Sequence, residues 1–157
     1  MNKNFYLCIV KKKVFLNDIP NLNLKRTDLL DWIHDRVSEK GGKIKRLDIN
    51  FISEDKMLNL NRQFLKHDNH TDILTFCYND YLNIESEIFI CFERASENAK
   101  KHSKAIDNEI LRLISHGLLH VFGMKDGTKQ EKEAMGKEEE VFIRKFHVKH
   151  TRSEKTI

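Results

Sequence analysis

Residues 107–126 read DNEILRLISHGLLHVFGMKD. Ile110, Leu113, Ile114, Leu118 and Val121 recur at the spacing of one helix face. Asp107 stands where an N-cap belongs, and Glu109 falls in the first turn, where the positive end of the helix dipole favours an acid. Gly123 marks the end, because a glycine tolerates the left-handed conformation in which helices commonly stop. His116 and His120 are four residues apart on this helix, so their imidazoles project from one face and can share a cation. The turn at Gly123 then brings the chain back, with Asp126 placed to supply a third ligand. This spacing, H-x3-H-x2-G-x2-[H/D], is the one metzincin proteases use for a zinc held by three protein ligands with one position open. Chance produces the whole pattern on the order of 0.003 times per chain of this composition.

The residue after the first histidine sets the chemistry. Zincin peptidases carry a glutamate there, as general base for hydrolysis; here it is Gly117. Peptide hydrolysis by that route lacks its base, whereas phosphodiester cleavage, in which the metal polarises the phosphate and activates water, asks less of a protein base. A glycine inside a helix costs ~1 kcal/mol relative to alanine, so something is expected to pack closely against Gly117.

Outward from this helix the chain alternates in character. Phe5–Val10 and Lys13–Leu16 read as short strands. Thr27 reads as the N-cap of a helix through Lys40, with Leu29, Leu30, Ile33 and Val37 on one face and Gly41-Gly42 ending it. Lys43–Ile52 alternates as a strand, Ser53 caps a helix carrying Met57, Leu58, Leu60 and Phe64, and His67–His70 form a polar loop. Two strands, Ile73–Tyr78 and Glu87–Phe92, precede a helix over Glu93–His102. A charge-rich helix over Lys129–Phe146 closes the domain. The expected fold is α+β: a mixed β-sheet of about four strands with helices packed on it, one of them a zincin-like metal helix. One domain over residues 1–150 and a frayed tail over 151–157 account for the chain.

Composition bounds the function. The chain has 157 residues, 39% of them apolar and 33% charged, with ten Phe and one Pro, which describes one globular domain able to bury a core. No apolar run approaches the ~20 residues of a spanning helix, so no membrane partner is expected. Phe5–Val10 is shorter than a signal-peptide core, and its charges, Lys11-Lys12-Lys13, follow rather than precede it, so the cytoplasm is the expected compartment. Cys8, Cys77 and Cys91 are odd in number and without C-x-x-C spacing; flanked by apolar or aromatic residues, they are expected as buried free thiols. The net charge of +4 is compatible with nucleic acid, and Lys11–Lys13 with Lys43, Lys45 and Arg46 are candidates for a basic surface that tracks an RNA backbone.

The run His116, Gly117, Leu119, His120 and Gly123 resembles the metal signature H-G-x-L-H-L-x-G-Y-D-H of the YbeY family of metal-dependent, single-strand endoribonucleases of ribosomal RNA maturation. Thr71-Asp72-Ile73-Leu74-Thr75-Phe76 is similar to the family's T-D-V-L-S-F, Ser86-Glu87-Ile88 to its G-D-I, and Arg94-Ala95 with Glu97-Asn98-Ala99 continues the register. The resemblance implies a metallo-endoribonuclease acting on single-stranded ribosomal RNA or the ribosomal subunit, including the 3′ end of 16S RNA and ribosome quality control. Its cofactor would be one divalent ion, Zn²⁺, held by His116, His120 and Asp126. In two places the chain departs from the pattern. The family's third histidine falls on Asp126, and a family arginine implicated in RNA handling falls on Leu65, with Arg62 one turn earlier as the candidate replacement. A metallopeptidase or other metallohydrolase on the same ligands, and a non-catalytic ribosome-assembly factor, are the alternatives.

Other side chains have weaker claims. Asp72 is a candidate to orient a turn or a metal-binding histidine. His67 and His70 are candidates for a phosphate contact, and His147 with His150 for a second metal pair. Asp126 has its own rival: it would merely cap the turn after Gly123, and Glu131 or a water would complete the metal shell.

Overall fold

The computed structural model describes residues 13–66 and 70–154; the Phe5–Val10 strand, Cys8, Lys11, Lys12 and His67 lie outside them. Four strands form one sheet in the order β1-β2-β4-β3: β1 (Val14–Asn17), β2 (Ile44–Ile52), β3 (Ile73–Cys77) and β4 (Ile84–Cys91). The first three in that order are mutually parallel, and β3 runs antiparallel to β4 along one edge. The helices are α1 (Arg26–Glu39), α2 (Glu54–Leu60), α3 (Phe92–Lys101), α4 (Ile106–Val121) and α5 (Lys129–Glu154). The expected α+β fold with a four-stranded mixed sheet is what the chain adopts. It includes one parallel crossover, β1–α1–β2, which the sequence rhythm does not announce.

Alternation in the strands puts Val14, Leu16, Leu47, Ile49, Ile88 and Ile90 on one face of the sheet, all buried. Helix α4 covers that face. Its Ile110, Leu113, Ile114, Leu118 and Val121 are buried as their periodicity demands, and so are Leu111 and Leu119. Helix α5 closes over the far side of α4 with Met135, Phe142 and Phe146. Trp32 of α1 joins this layer: its indole N–H donates to the Phe142 carbonyl at 2.8 Å, which satisfies the one polar atom of a buried ring.

Helix ends depart from the sequence reading in instructive ways. Ser53 does cap α2, its hydroxyl accepting from the Lys56 amide. Thr27 does not cap α1; Lys25 holds that position without a side-chain bond. Asp107 lies inside the first turn of α4, after Ala105, and its carboxylate accepts from the Asn23 amide at 3.3 Å, so a tertiary contact took the carboxylate that local spacing assigned to a cap. Helix α5 runs on past Phe146 to Glu154.

Candidate metal centre

Gly123 ends α4 at φ +91. The Met124 amide donates to the Leu119 carbonyl at 3.0 Å and the Gly123 amide to His120 at 2.9 Å, the paired bonds of a Schellman stop. This turn carries Asp126 back over the end of the helix. Its Oδ2 lies 3.3 Å from His116 Nε2 and 3.4 Å from His120 Nε2, and the two Nε2 atoms are 3.0 Å apart. A tetrahedral zinc with ligands at ~2.0–2.1 Å needs donor atoms ~3.3–3.4 Å apart, so the triangle is of the right size. Among the described residues this is the one group of three His, Cys, Asp or Glu side chains close enough to share an ion.

The donor chemistry agrees with the spacing. His116 Nδ1–H donates to Glu139 Oε1 at 2.6 Å, and His120 Nδ1–H donates to the Met124 carbonyl at 3.0 Å. A carboxylate and a carbonyl only accept, so both Nδ1 atoms carry a proton and each ring turns its Nε2 toward Asp126. Two imidazole nitrogens and a carboxylate oxygen converging within 3.4 Å suit a cation. Side-chain exposure rises from 17% at His116 through 28% at His120 to 41% at Asp126, which leaves the group open on the side of the turn.

Glu139 is the member of this side-chain group that the sequence reading missed. It is buried and comes from α5, where it shares a face with Met135, Phe142 and Phe146. A glutamate four residues after one buried apolar position and three before another is the signal that would have found it. Arg112 compensates its charge, with Nη1 at 3.9 Å from Glu139 Oε2, while bonding Glu109 at 2.6 and 3.0 Å and approaching Asp72 Oδ2 at 3.6 Å. The Glu109 hydrogen bonds raise the Arg112 guanidinium pKa further above its ordinary value. Among the described residues Asp72 bonds no histidine. Its carboxylate accepts from Asn98 at 3.0 Å and its carbonyl from the Cys91 amide at 2.9 Å.

The remaining candidates separate. Glu131 accepts from the Gly127 and Thr128 amides at 2.8 and 3.0 Å while Thr128 Oγ1 accepts from the Glu131 amide. That is a capping box at the start of α5, which holds Glu131 Oε2, and Glu131 is not in the group around the two histidines. His147 contacts Asn108 at 2.7 Å and His150 contacts Asp28 at 3.3 Å, so the two tail histidines serve different neighbours. His70 lies 3.3 Å from Glu54. Arg62 is exposed on the π-helical turn Asn61–Leu65, and Leu65 is exposed beside it. The turn is tied to the start of β3 by Asn61, which donates to Thr71 Oγ1 at 3.1 Å. Lys45 pairs with Glu85, and Arg46 with Asp48 at 2.7 Å; Arg46 also stacks on Phe15 at 4.6 Å, on the sheet face opposite α4. Cys91 is buried as expected, whereas Cys77 is exposed, because the last residue of an edge strand has cover on one side only.

Gly117 is explained by packing. A Cβ there would lie 2.8 Å from Ile88 Cδ1 and 3.3 Å from Ile73 Cδ1. The helix sits so close to the sheet that any side chain after His116, the peptidase glutamate included, would have to displace Ile88.

A mixed sheet backed by such a helix, with two imidazoles and a returning carboxylate at its end, defines a zincin-like metallohydrolase class. Within that class, the family model of Endoribonuclease YbeY matches residues 16–147, and the chain belongs to that family. It is 36% identical over 125 residues to Endoribonuclease YbeY of Cytophaga hutchinsonii, covering 78% of this chain and 87% of that one. The corresponding protein of Amoebophilus asiaticus is 35% identical over 116 residues, covering 73% and 79%. The solution structure of TM1509 from Thermotoga maritima shares the fold, with a TM-score of 0.62 over 90% of this chain and 93% of that one at 23% identity. No helix among the described residues is long and apolar enough to cross a membrane.

Proposed function

We propose that this protein is a metal-dependent endoribonuclease of the cytoplasm that cleaves single-stranded ribosomal RNA precursors, with the 3′ end of 16S RNA as a substrate. His116, His120 and Asp126 hold its one divalent ion, Zn²⁺. The convergence of these three donors at 3.0–3.4 Å carries the reading. The ion, when bound, supplies Lewis acidity toward a phosphodiester and toward water. Glu139 and the Met124 carbonyl fix the tautomer and direction of the two rings, and Arg112 balances the Glu139 charge. Arg62, exposed on the turn that Asn61 ties to Thr71, is the basic contact for substrate. The peptidase alternative is disfavoured because position 117 carries no base, and one there would have to displace Ile88.

Metal content by mass spectrometry, beside cleavage of single-stranded RNA and of casein, tests the proposal. One equivalent of zinc and RNA cleavage abolished by chelator is the expected result. Casein cleavage would make the protein a peptidase, and metal without either activity would leave an assembly factor.

A further inference from the structure

The cleft at the metal centre, about 520 Å³, has two walls. One is His116, His120 and Asp126; the other is β3 and its entry, Thr71 to Thr75 with Cys77. Strand β3 is an edge, bonded only to β4 among the described residues. Its ladder fixes which main-chain groups are used. The Tyr78 amide donates to Glu85 at 2.8 Å and the Cys91 amide to Asp72 at 2.9 Å. In the antiparallel register Leu74↔Phe89 and Phe76↔Glu87, the even-numbered residues therefore turn their N–H and C=O toward β4. Ile73, Thr75 and Cys77 turn theirs outward, along the cleft.

We infer that this free edge of β3 binds the sugar–phosphate chain of the single-stranded RNA, the main chain at Ile73, Thr75 and Cys77 donating N–H to phosphate oxygens and accepting from ribose 2′-hydroxyls. The inference rests on the endoribonuclease reading and specifies how the substrate is held. Alternate residues of a strand repeat every ~6.8 Å, of the order of the phosphate spacing in an extended single strand. An edge offering a donor and an acceptor at each repeat complements a chain that offers an anionic acceptor and a hydroxyl donor at each nucleotide. The hydroxyl is what distinguishes RNA from DNA. Because only main-chain groups take part, the contact is indifferent to base sequence. Continuity with the three donors selects the occupant: a strand lying on this edge passes the metal centre directly. The Asn61–Thr71 hydrogen bonds anchor the start of the edge to the preceding helix.

Thr75→Pro tests this with little disturbance, since the lost N–H faces outward and an edge strand tolerates proline where no ladder bond is broken. The readouts are circular dichroism, melting temperature and anisotropy in the cold, before cleavage accrues, with a labelled single-stranded oligoribonucleotide and the DNA of the same sequence. A folded Thr75→Pro protein should bind the RNA about tenfold or more weakly, with the preference for RNA over DNA kept, because the lost N–H serves the phosphate that both share and the Thr75 carbonyl that serves the 2′-hydroxyl remains. Unchanged RNA affinity in the folded variant overturns the inference. A second measurement needs no variant. Cys77 is exposed on the edge and Cys91 is buried, so saturating RNA should slow maleimide modification of Cys77, scored by peptide mapping, severalfold or more. An unchanged Cys77 rate with RNA bound overturns the inference, and decides alone if Thr75→Pro does not fold. Protection by an extended peptide and not by RNA likewise overturns it, by strand addition. A wild-type protein that neither binds nor cuts RNA would instead bring down the endoribonuclease reading itself.

Discussion

Glu139 accepts a hydrogen bond from His116 at 2.6 Å although 23 residues separate them. The bond joins α5 to α4 and sets the direction of an imidazole that the helix alone would leave free to rotate about χ2. Arg112, at 3.9 Å from the other Glu139 oxygen, keeps the carboxylate from being an uncompensated buried charge.

Removing that carboxylate should therefore act on metal binding more than on folding. Partners that orient a ligating histidine are worth about ten- to a hundredfold in affinity. Glu139→Ala is expected to weaken zinc binding by that factor in competition with a chromogenic chelator. Glu139→Gln keeps an acceptor oxygen for His116 and should recover most of the loss. Equal losses in the two variants would assign Glu139 to charge balance with Arg112 and not to ring orientation.

Gly117 provides a test of packing. Alanine normally stabilises a helix interior relative to glycine by ~1 kcal/mol. Here its Cβ would meet Ile88 Cδ1 at 2.8 Å and Cγ2 at 3.1 Å, and overpacking of a tight core costs ~1–3 kcal/mol. Gly117→Ala should lower the free energy of unfolding in urea. Ile88→Val removes Cδ1 and should restore part of it in the double variant, although Ile88→Val alone costs ~0.5–1.5 kcal/mol. Strictly additive losses would count against the close approach.

What the sequence made legible follows from how local each signal is. The His116–His120 pair, the glycine stop and the return of Asp126 all lie within eleven residues, and helical periodicity with a left-handed turn determines their relative positions. Glu139 belongs to the same site but reaches it through the packing of α4 on α5, which no spacing records. Asp107 went astray for the same reason: a cap signal is local, and the Asn23 amide that claimed the carboxylate is 84 residues away. The exposure of Cys77 depended on strand order. Apolar flanks announce a strand and do not say which strand is the edge.

Glu39 gives the pH dependence a definite sign. Its carboxyl is lowered from 4.5 mainly by the Lys145 hydrogen bond, with Arg36 adding to it; Lys145 Nζ lies at 2.8 Å. A carboxyl lowered in the folded state contributes stability above its unfolded value and loses it as the pH falls through the folded one. The difference in unfolding free energy between wild type and Glu39→Gln should thus be flat above about pH 5 and vanish toward stronger acid. Half-exposed, the pair is worth no more than a few tenths of a kcal/mol. A difference that persists undiminished in acid would assign the effect to packing between α1 and α5.

Asp126 decides whether the centre has three protein ligands. In the structure its carboxylate faces the two imidazoles, while the turn is closed by main-chain bonds at Gly123 and Met124 and α5 is capped by Glu131. A capping role is therefore already filled by other groups. Asp126→Ala and Asp126→Asn should both lose zinc, because asparagine preserves turn hydrogen bonds yet is a poor zinc ligand. Asp126→His should retain it, since imidazole is an ordinary zinc donor and the resembling family places histidine at this position. The measurement is zinc stoichiometry after dialysis, with affinity from chelator competition, on variants whose melting temperatures show them folded. The ranking should be wild type and His above Asn and Ala, by a hundredfold or more on the order expected for loss of one of three ligands. Full stoichiometry and affinity in Asp126→Asn would remove the third ligand from the assignment and leave the histidine pair to be completed by another group.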